Sequence, residues 1–206
     1  MGLRPHLILF ARAPRLGAGK KRLAKDVGAM QALRFQRVML ALTARRLADR
    51  RWTSWLAVTP DKNSGPWPPR VKVIAQGSGD LGARMARAAR KPPPGPVLII
   101  GADIPGICKS DIARAFRLLG ACDAAFGPAA DGGYWAVGLR RRPRFLDPFA
   151  KVRWSGPDAL ADTLKNLDGR KIGFLRVLED VDDVASLARR GAWWRFFPPQ
   201  QQPPPS

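Results

Sequence analysis

Residues 97–106, VLIIGADIPG, constrain the fold more than any other stretch of the chain. Four apolar residues in a row show no alternation, so the segment must bury both of its faces. Bounded by PPPG before it and IPG after it, the run reads as the central parallel strand of an α/β sheet. Gly101 permits close approach of a ligand or a neighbouring backbone, and Pro105 ends the strand because it has no N–H for the ladder. Asp103 then stands just beyond the strand's carboxyl end, where open α/β sheets bind ligands. It serves either as a functional carboxylate or as the cap of a loop or helix.

The 206 residues, 46% of them hydrophobic, suffice for one domain with a real core. Residues 1–197 are expected to form it, and the Pro/Gln-rich residues 198–206 a disordered tail. No apolar run reaches the roughly 18 residues of a membrane span. The first ten residues hold an apolar stretch too short for a signal peptide, so a cytoplasmic location is the expectation. A single histidine, His6, argues against His-based triads and His-rich zinc sites. Cys108 and Cys122 lack metal-ligand spacing and read as reduced, small apolar residues. Carboxylates, lysines and arginines are left to carry any chemistry. The net charge of +20 favours a phosphorylated substrate. Its cations run from Arg4 to Arg195 without forming one block, and no nucleic-acid module is recognisable, so a solvated basic surface is expected over a specific nucleic-acid partner.

Residues 6–10 (HLILF) are expected as the first strand. The basic, glycine-bearing residues 11–23, ARAPRLGAGKKRL, follow it. Outward-pointing backbone N–H groups and the cations of such a loop suit a phosphate, with Arg12, Gly17, Gly19, Lys20 and Arg22 as the candidates. The loop is neither a P-loop nor a G-x-G-x-x-G fingerprint, and a solvated basic turn would look the same. A helix is expected over 29–50 with Met30, Leu33, Val38, Leu42 and Leu47 near one face. Strands over 52–58 and 71–75, joined by the loop 61–69, complete a β-α-β-β opening of a three-layer α/β protein.

QGSGDLGARM, residues 76–85, places glycines at 77, 79 and 82 around Asp80, which caps a helix running to residue 90. Asp80 and Arg84 form either an intrahelical ion pair or, with Gly79, a nucleotide-contacting turn. Ser110 is expected to cap a helix to residue 119, closed by Gly120. A strand over 123–127 leads to PAADGGYWAVG, in which Asp131 precedes two glycines and a strand over 134–137; a hairpin turn and a functional carboxylate both fit. Trp154 would cover an opening or a core edge. Ser155-x-x-Asp158 looks like a capping box for a helix over 157–167. After a last strand over 171–177, Glu179, Asp180, Asp182 and Asp183 read as a helix N-terminus or as support for a metal. Trp193, Trp194, Phe196 and Phe197 either pack on the domain or form an oligomer contact such as a homodimer.

Taken together and in order, ARAPRLGAGKKRL, QGSGDLGARM, GADIPG, GPAADGGYWAVGL, the Trp154-Ser155 helix start and LEDVDDVASL resemble the bacterial DUF2064 family, from about residue 7 to residue 187. The resemblance implies a GT-A, nucleotide-diphospho-sugar transferase-like fold: a Rossmann-like mixed, mostly parallel sheet with helices on both faces. It also implies a nucleotide site at the carboxyl ends of the early strands and a divalent metal, Mg²⁺ or Mn²⁺. Lys20 and Arg22 match the basic residues of the family's K-T-R-L element, with Lys21 where that element has threonine. Asp80 and Arg84 match G-D-L-G-x-R-M, Asp103 the aspartate after the central strand, and Asp131 that of D-G-G-Y. The D-x-D pair of many glycosyltransferases is absent, because residue 105 is proline.

The expected function is that of a metal-dependent transferase using a nucleotide-activated sugar as donor and a small molecule or glycan as acceptor. Asp103 and Asp131 would hold the ion. Lys20 and Arg22 would neutralise the phosphates, and Asp131 is alternatively the base that activates the acceptor. Nucleotidyl transfer from an NTP to a phosphorylated acceptor, with pyrophosphate release, is the alternative on the same fold. A non-catalytic basic nucleic-acid-binding protein is a distant third.

Overall fold

The structure is a computed structural model and describes residues 3–18, 21–61, 65, 67–104, 106–142 and 144–178. In chain order its elements are β1 (His6–Arg12), α1 (Lys21–Val27), α2 (Ala29–Leu47), β2 (Thr53–Thr59), β3 (Lys72–Ala75), α3 (Leu81–Arg90), β4 (Val97–Gly101), α4 (Lys109–Ala121), β5 (Ala124–Pro128), β6 (Tyr134–Leu139), α5 (Ala159–Lys165) and β7 (Ile172–Phe174). Gly19, Lys20, Pro105, the acidic group at 179–183, the aromatic group at 193–197 and the tail at 198–206 lie outside the described residues.

The strands form one seven-stranded sheet in the order β3-β2-β1-β4-β6-β5-β7. Every pairing is parallel except the two that β6 makes, with β4 and β5. Alternate side chains of the strands enter two cores. Leu7, Leu9, Leu56, Leu98 and Ile100 meet α2 and α4 on one face, while Ile8, Trp55, Ala57, Val97 and Ile99 meet α3 on the other. Helices cover both faces, and that is why LILF and VLII are apolar throughout.

Five local expectations need correction. The expected 29–50 helix is preceded by a separate helix, α1, set off by Gly28 at φ +83°. Leu23 and Val27 of α1 pack on Ala32, Phe35 and Met39, which widens and rotates the buried stripe of α2. Leu33 and Leu47 are buried as expected, but Met30 is 64% exposed and Leu42 38%. In α4 the cap is Cys108 rather than Ser110: its backbone N–H donates to Asp111 Oδ2 at 2.9 Å and its thiol to the same oxygen at 3.0 Å. Gly120 does not close that helix, which continues to Ala121. The capping box at 155–158 does not form, because Ser155 adopts φ +66° and the Asp158 carboxylate pairs with Arg153 at 2.8 Å instead of capping α5.

Among the described residues no helix is long and apolar enough to cross a membrane.

Candidate functional site

From β1 the chain proceeds to β2 on one side, while β4 lies on the other, so the strand order reverses between β1 and β4. Connections leave in opposite directions at such a point, and a crevice opens beyond the carboxyl ends of the strands. A cavity of about 580 Å³ occupies it, lined by Phe10 of β1, Ile99 to Gly101 of β4, Arg22 of α1, Leu81 and Met85 of α3, the carboxylates Asp103 and Asp131, and the aromatic pair Tyr134 and Trp154.

Asp103, half-buried, follows β4 by two residues. A Cβ on Gly101 would lie 3.2 Å from its Oδ1, so the missing side chain lets the carboxylate turn back over the strand end. Asp131 arrives from the other direction. Because β6 is antiparallel, its first residue lies at the carboxyl edge of the sheet, and the β5–β6 hairpin turn enters the cavity wall. Asp131 Oδ1 accepts the Gly133 N–H at 3.0 Å. Gly132 has φ +85°, and a Cβ there would fall 2.2 Å from the Pro157 carbonyl oxygen. Its own carbonyl accepts the Leu160 N–H at 3.1 Å. The turn is thereby fastened to the start of α5, and only glycine fits.

Two carboxylates on one cavity supply the hard oxygen donors that Mg²⁺ or Mn²⁺ prefers. Among the described residues no three His, Cys, Asp or Glu side chains gather into a metal-binding group.

Of the basic loop, Arg22 reaches the cavity. Arg12 is exposed at the end of β1 and does not line it. Gly17 sits at φ +72° in a turn closed by the Ala18 N–H on the Arg15 carbonyl at 3.1 Å, and Gln36 Nε2 ties that turn to α2 through the Ala18 carbonyl at 3.3 Å. Gly79, at φ +99°, Asp80 and Arg84 do not line the cavity either; Leu81 and Met85 of their helix do. Asp80 caps α3 by accepting the Ala83 N–H at 2.8 Å. Arg84 donates to the Asp80 backbone carbonyl at 3.3 Å and to Gln76 Oε1 at 3.2 Å, so the contact within this pair is to backbone and not an ion pair.

Sequence reasoning missed Gln76 and Tyr134 here, and it read Trp154 only as a cover. Gln76, 1% exposed, donates its amide N–H groups to the carbonyls of Ala11 at 3.0 Å and Ala57 at 2.9 Å, joining the ends of β1 and β2. Its backbone carbonyl accepts from Arg87, whose guanidinium fills the space where a Cβ on Gly77 would stand. Tyr134 packs edge-on against Phe126 and Trp154, and its hydroxyl lies 3.5 Å from Thr163 Oγ1. Burial pushes its phenol well above the ordinary tyrosine value, so it stays neutral. Trp154 sits between Tyr134 and Phe149, and a Cβ on Gly82 would lie 2.8 Å from its Cζ2. Its buried Nε1–H has no hydrogen-bond partner among the described residues. Its position beside Ser155 signalled a cover in the sequence, but nothing there placed it against the hairpin.

No curated protein matches the sequence. The family described as "Uncharacterized protein conserved in bacteria (DUF2064)" matches residues 29–156. Among solved structures, the chain is similar to a protein from Desulfovibrio desulfuricans G20 provisionally named a nucleotide-diphospho-sugar transferase, with 27% identity and a TM-score of 0.84 over 94% of this chain and 91% of that one. The Rv0371c protein of Mycobacterium tuberculosis H37Rv, solved in complex with manganese, aligns at 15% identity and a TM-score of 0.55 over 92% and 98%. The 4-diphosphocytidyl-2C-methyl-D-erythritol synthase of Anaerococcus prevotii DSM 20548 aligns at 10% and 0.56 over 93% and 98%. At those two identities the likeness shows a shared fold.

Proposed function

The chain belongs to the DUF2064 family, and from that premise we propose that it is a metal-dependent transferase whose donor is a nucleotide-activated sugar. The observation that carries this reading is the meeting of Asp103, Asp131 and Arg22 on one cavity at the β1/β4 reversal. The name given to the Desulfovibrio desulfuricans protein agrees with it.

Arg22, with Lys20 and the loop that includes Arg12, Gly17 and Gly19, neutralises the donor diphosphate. Gly79, Asp80 and Arg84 set the start of α3, which presents Leu81 and Met85 to the nucleotide. Asp103 and Asp131 hold Mg²⁺ or Mn²⁺, which when bound serves as a Lewis acid toward the leaving nucleoside diphosphate. Tyr134 and Trp154 form the apolar wall that excludes water and fixes the sugar or the acceptor. Asp131, exposed at the hairpin turn, is also placed to accept a proton from an acceptor hydroxyl.

The test is ligand-induced thermal stabilisation by a panel of NDP-sugars, NDPs and NTPs, each with Mg²⁺, Mn²⁺ or EDTA, on the wild type and on Asp103→Ala. A ligand at a hundred times its Kd adds about 2.7 kcal/mol. Stabilisation by one NDP-sugar that requires metal and is lost in the variant is the expected result. A response to an NTP with pyrophosphate release, which the basic loop before α1 would serve, replaces sugar transfer by nucleotidyl transfer. No response to any nucleotide overturns both.

A further inference from the structure

Helix α2 contains no acidic residue along Ala29–Leu47. Met30, Arg34, Arg37, Ala41 and Arg45 follow one another at spacings of three or four residues, so they share one face, and all of them are exposed. Met30 is 64% exposed and Leu42, beside the same stripe, 38%. Helix α4 packs on the same face of the sheet and presents Arg114 and Arg117 to solvent. Its one carboxylate, Asp111, is buried and taken by Arg176 at 2.8 Å, while Asp49, just past α2, is taken by Arg51 at 2.9 Å. Arg34, Arg37, Arg45, Arg114 and Arg117 make no hydrogen bond or ion pair among the described residues.

Five guanidinium groups on one layer, uncompensated among the described residues, repel one another and attract phosphate. Apolar side chains stand among them, a combination that suits the boundary between headgroups and acyl chains. Nucleic acid is the weaker match, because single strands are held by exposed aromatic platforms and α2 and α4 expose no large aromatic side chain. The orientation also fits. β1 and β2 are parallel, so α2 runs back along the sheet, and its Met30 end lies at the edge where the cavity opens.

We infer that the α2–α4 layer docks on an anionic lipid surface, with the arginines at the level of the lipid phosphates and Met30 and Leu42 entering the interface. Docked in this way, the Met30 end of α2 and the cavity share one edge of the sheet. The inference does not depend on the transferase reading, and it is tested without any nucleotide.

The experiment is co-sedimentation of the full chain with phosphatidylcholine vesicles, with and without phosphatidylglycerol. Binding only to the anionic vesicles is expected. Reversing three charges in Arg34→Glu/Arg37→Glu/Arg45→Glu should weaken it by about a hundredfold or more, since each basic residue near the surface contributes roughly fivefold. Met30→Ser/Leu42→Ser keeps every charge and should weaken binding by about tenfold. Unchanged thermal unfolding of both variants shows that they are folded. The inference is overturned by absence of binding to anionic vesicles, or by equal losses from the control Arg140→Glu/Arg142→Glu/Arg144→Glu, which would mark a response to net charge alone. Tighter binding to single-stranded DNA than to vesicles, insensitive to the Met30/Leu42 pair, also overturns it and assigns the face to nucleic acid.

Discussion

The exposed arginines borne by the helices of the two layers are used differently. On the α3–α5 side arginines are consumed by the fold. Arg87 and Arg84 bind the turn at 76–80, Arg141 donates to the carbonyls of Ala89, Pro92 and Pro93, Arg90 pairs with Asp147 and Arg153 with Asp158 and Asp162. On the α2–α4 side Arg34, Arg37, Arg45, Arg114 and Arg117 make no such contacts among the described residues. A charge of +20 is therefore not one property. Part of it holds loops of the α3–α5 side in place, and part, on the α2–α4 side, makes no such contact among the described residues.

The layers differ in packing as well, and the glycines give the sharpest way to break the contrast. Gly132→Ala places a Cβ 2.2 Å from the Pro157 oxygen at a φ of +85°, and should cost about 3 kcal/mol in chemical denaturation through combined overpacking and left-handed strain. Gly82→Ala on α3 meets the Phe149 carbonyl at 2.7 Å and Trp154 at 2.8 Å, so about 2 kcal/mol should be lost in spite of alanine's better helix propensity. Gly120→Ala on α4 meets nothing within 4 Å and should instead stabilise by about 0.7 kcal/mol. A loss at Gly120 equal to that at Gly82 would erase the difference between the layers.

Titration through the histidine range probes the α3 side. His6 is 3% exposed and accepts the Trp55 N–H at its Nδ1. Burial, and then the nearby charge of Arg141, hold its imidazole below the ordinary value of 6.5. The folded state favours the neutral ring, so stability is full above pH 6.5 and falls as the pH drops from there toward the lowered folded value, because the unfolded chain takes up the proton first. His6→Phe should flatten that part of the stability profile; an unchanged slope would assign it to other groups. The smallest effect is expected at exposed ion pairs. Arg153→Ala should cost a small but measurable amount of stability in thermal unfolding, against no measurable change for Arg117→Ala.

The legible parts of the sequence were those where burial or a turn leaves an unmistakable pattern. VLII announced a strand covered on both faces, and Asp103 followed at its carboxyl end. QGSGDLG announced a glycine turn and a capped helix. Asp131 was legible as a turn residue, but its arrival at the same cavity depends on β6 entering the sheet in reverse, a long-range pairing that no local pattern records. α1 was hidden because its basic residues resemble a solvated loop, and its packing on α2 moved the buried face away from Met30 and Leu42. Ser155-x-x-Asp158 matched a capping box, yet the backbone there turns left-handed and Asp158 answers Arg153. Gln76 gave no signal at all, since a polar residue beside glycines looks solvated until two strand ends close around it.

Gln76 has a kinetic consequence. Its amide connects the end of β3 to Ala11 of β1 and Ala57 of β2, and the Ala11 contact spans 65 residues, so it can form only after the β1–β2 crossover has closed and β3 has docked. A bond of that kind is made late, past the folding barrier. Gln76→Ala should then leave the refolding rate nearly unchanged and appear almost wholly as faster unfolding. In this picture the amide acts as a latch on a sheet that has already assembled.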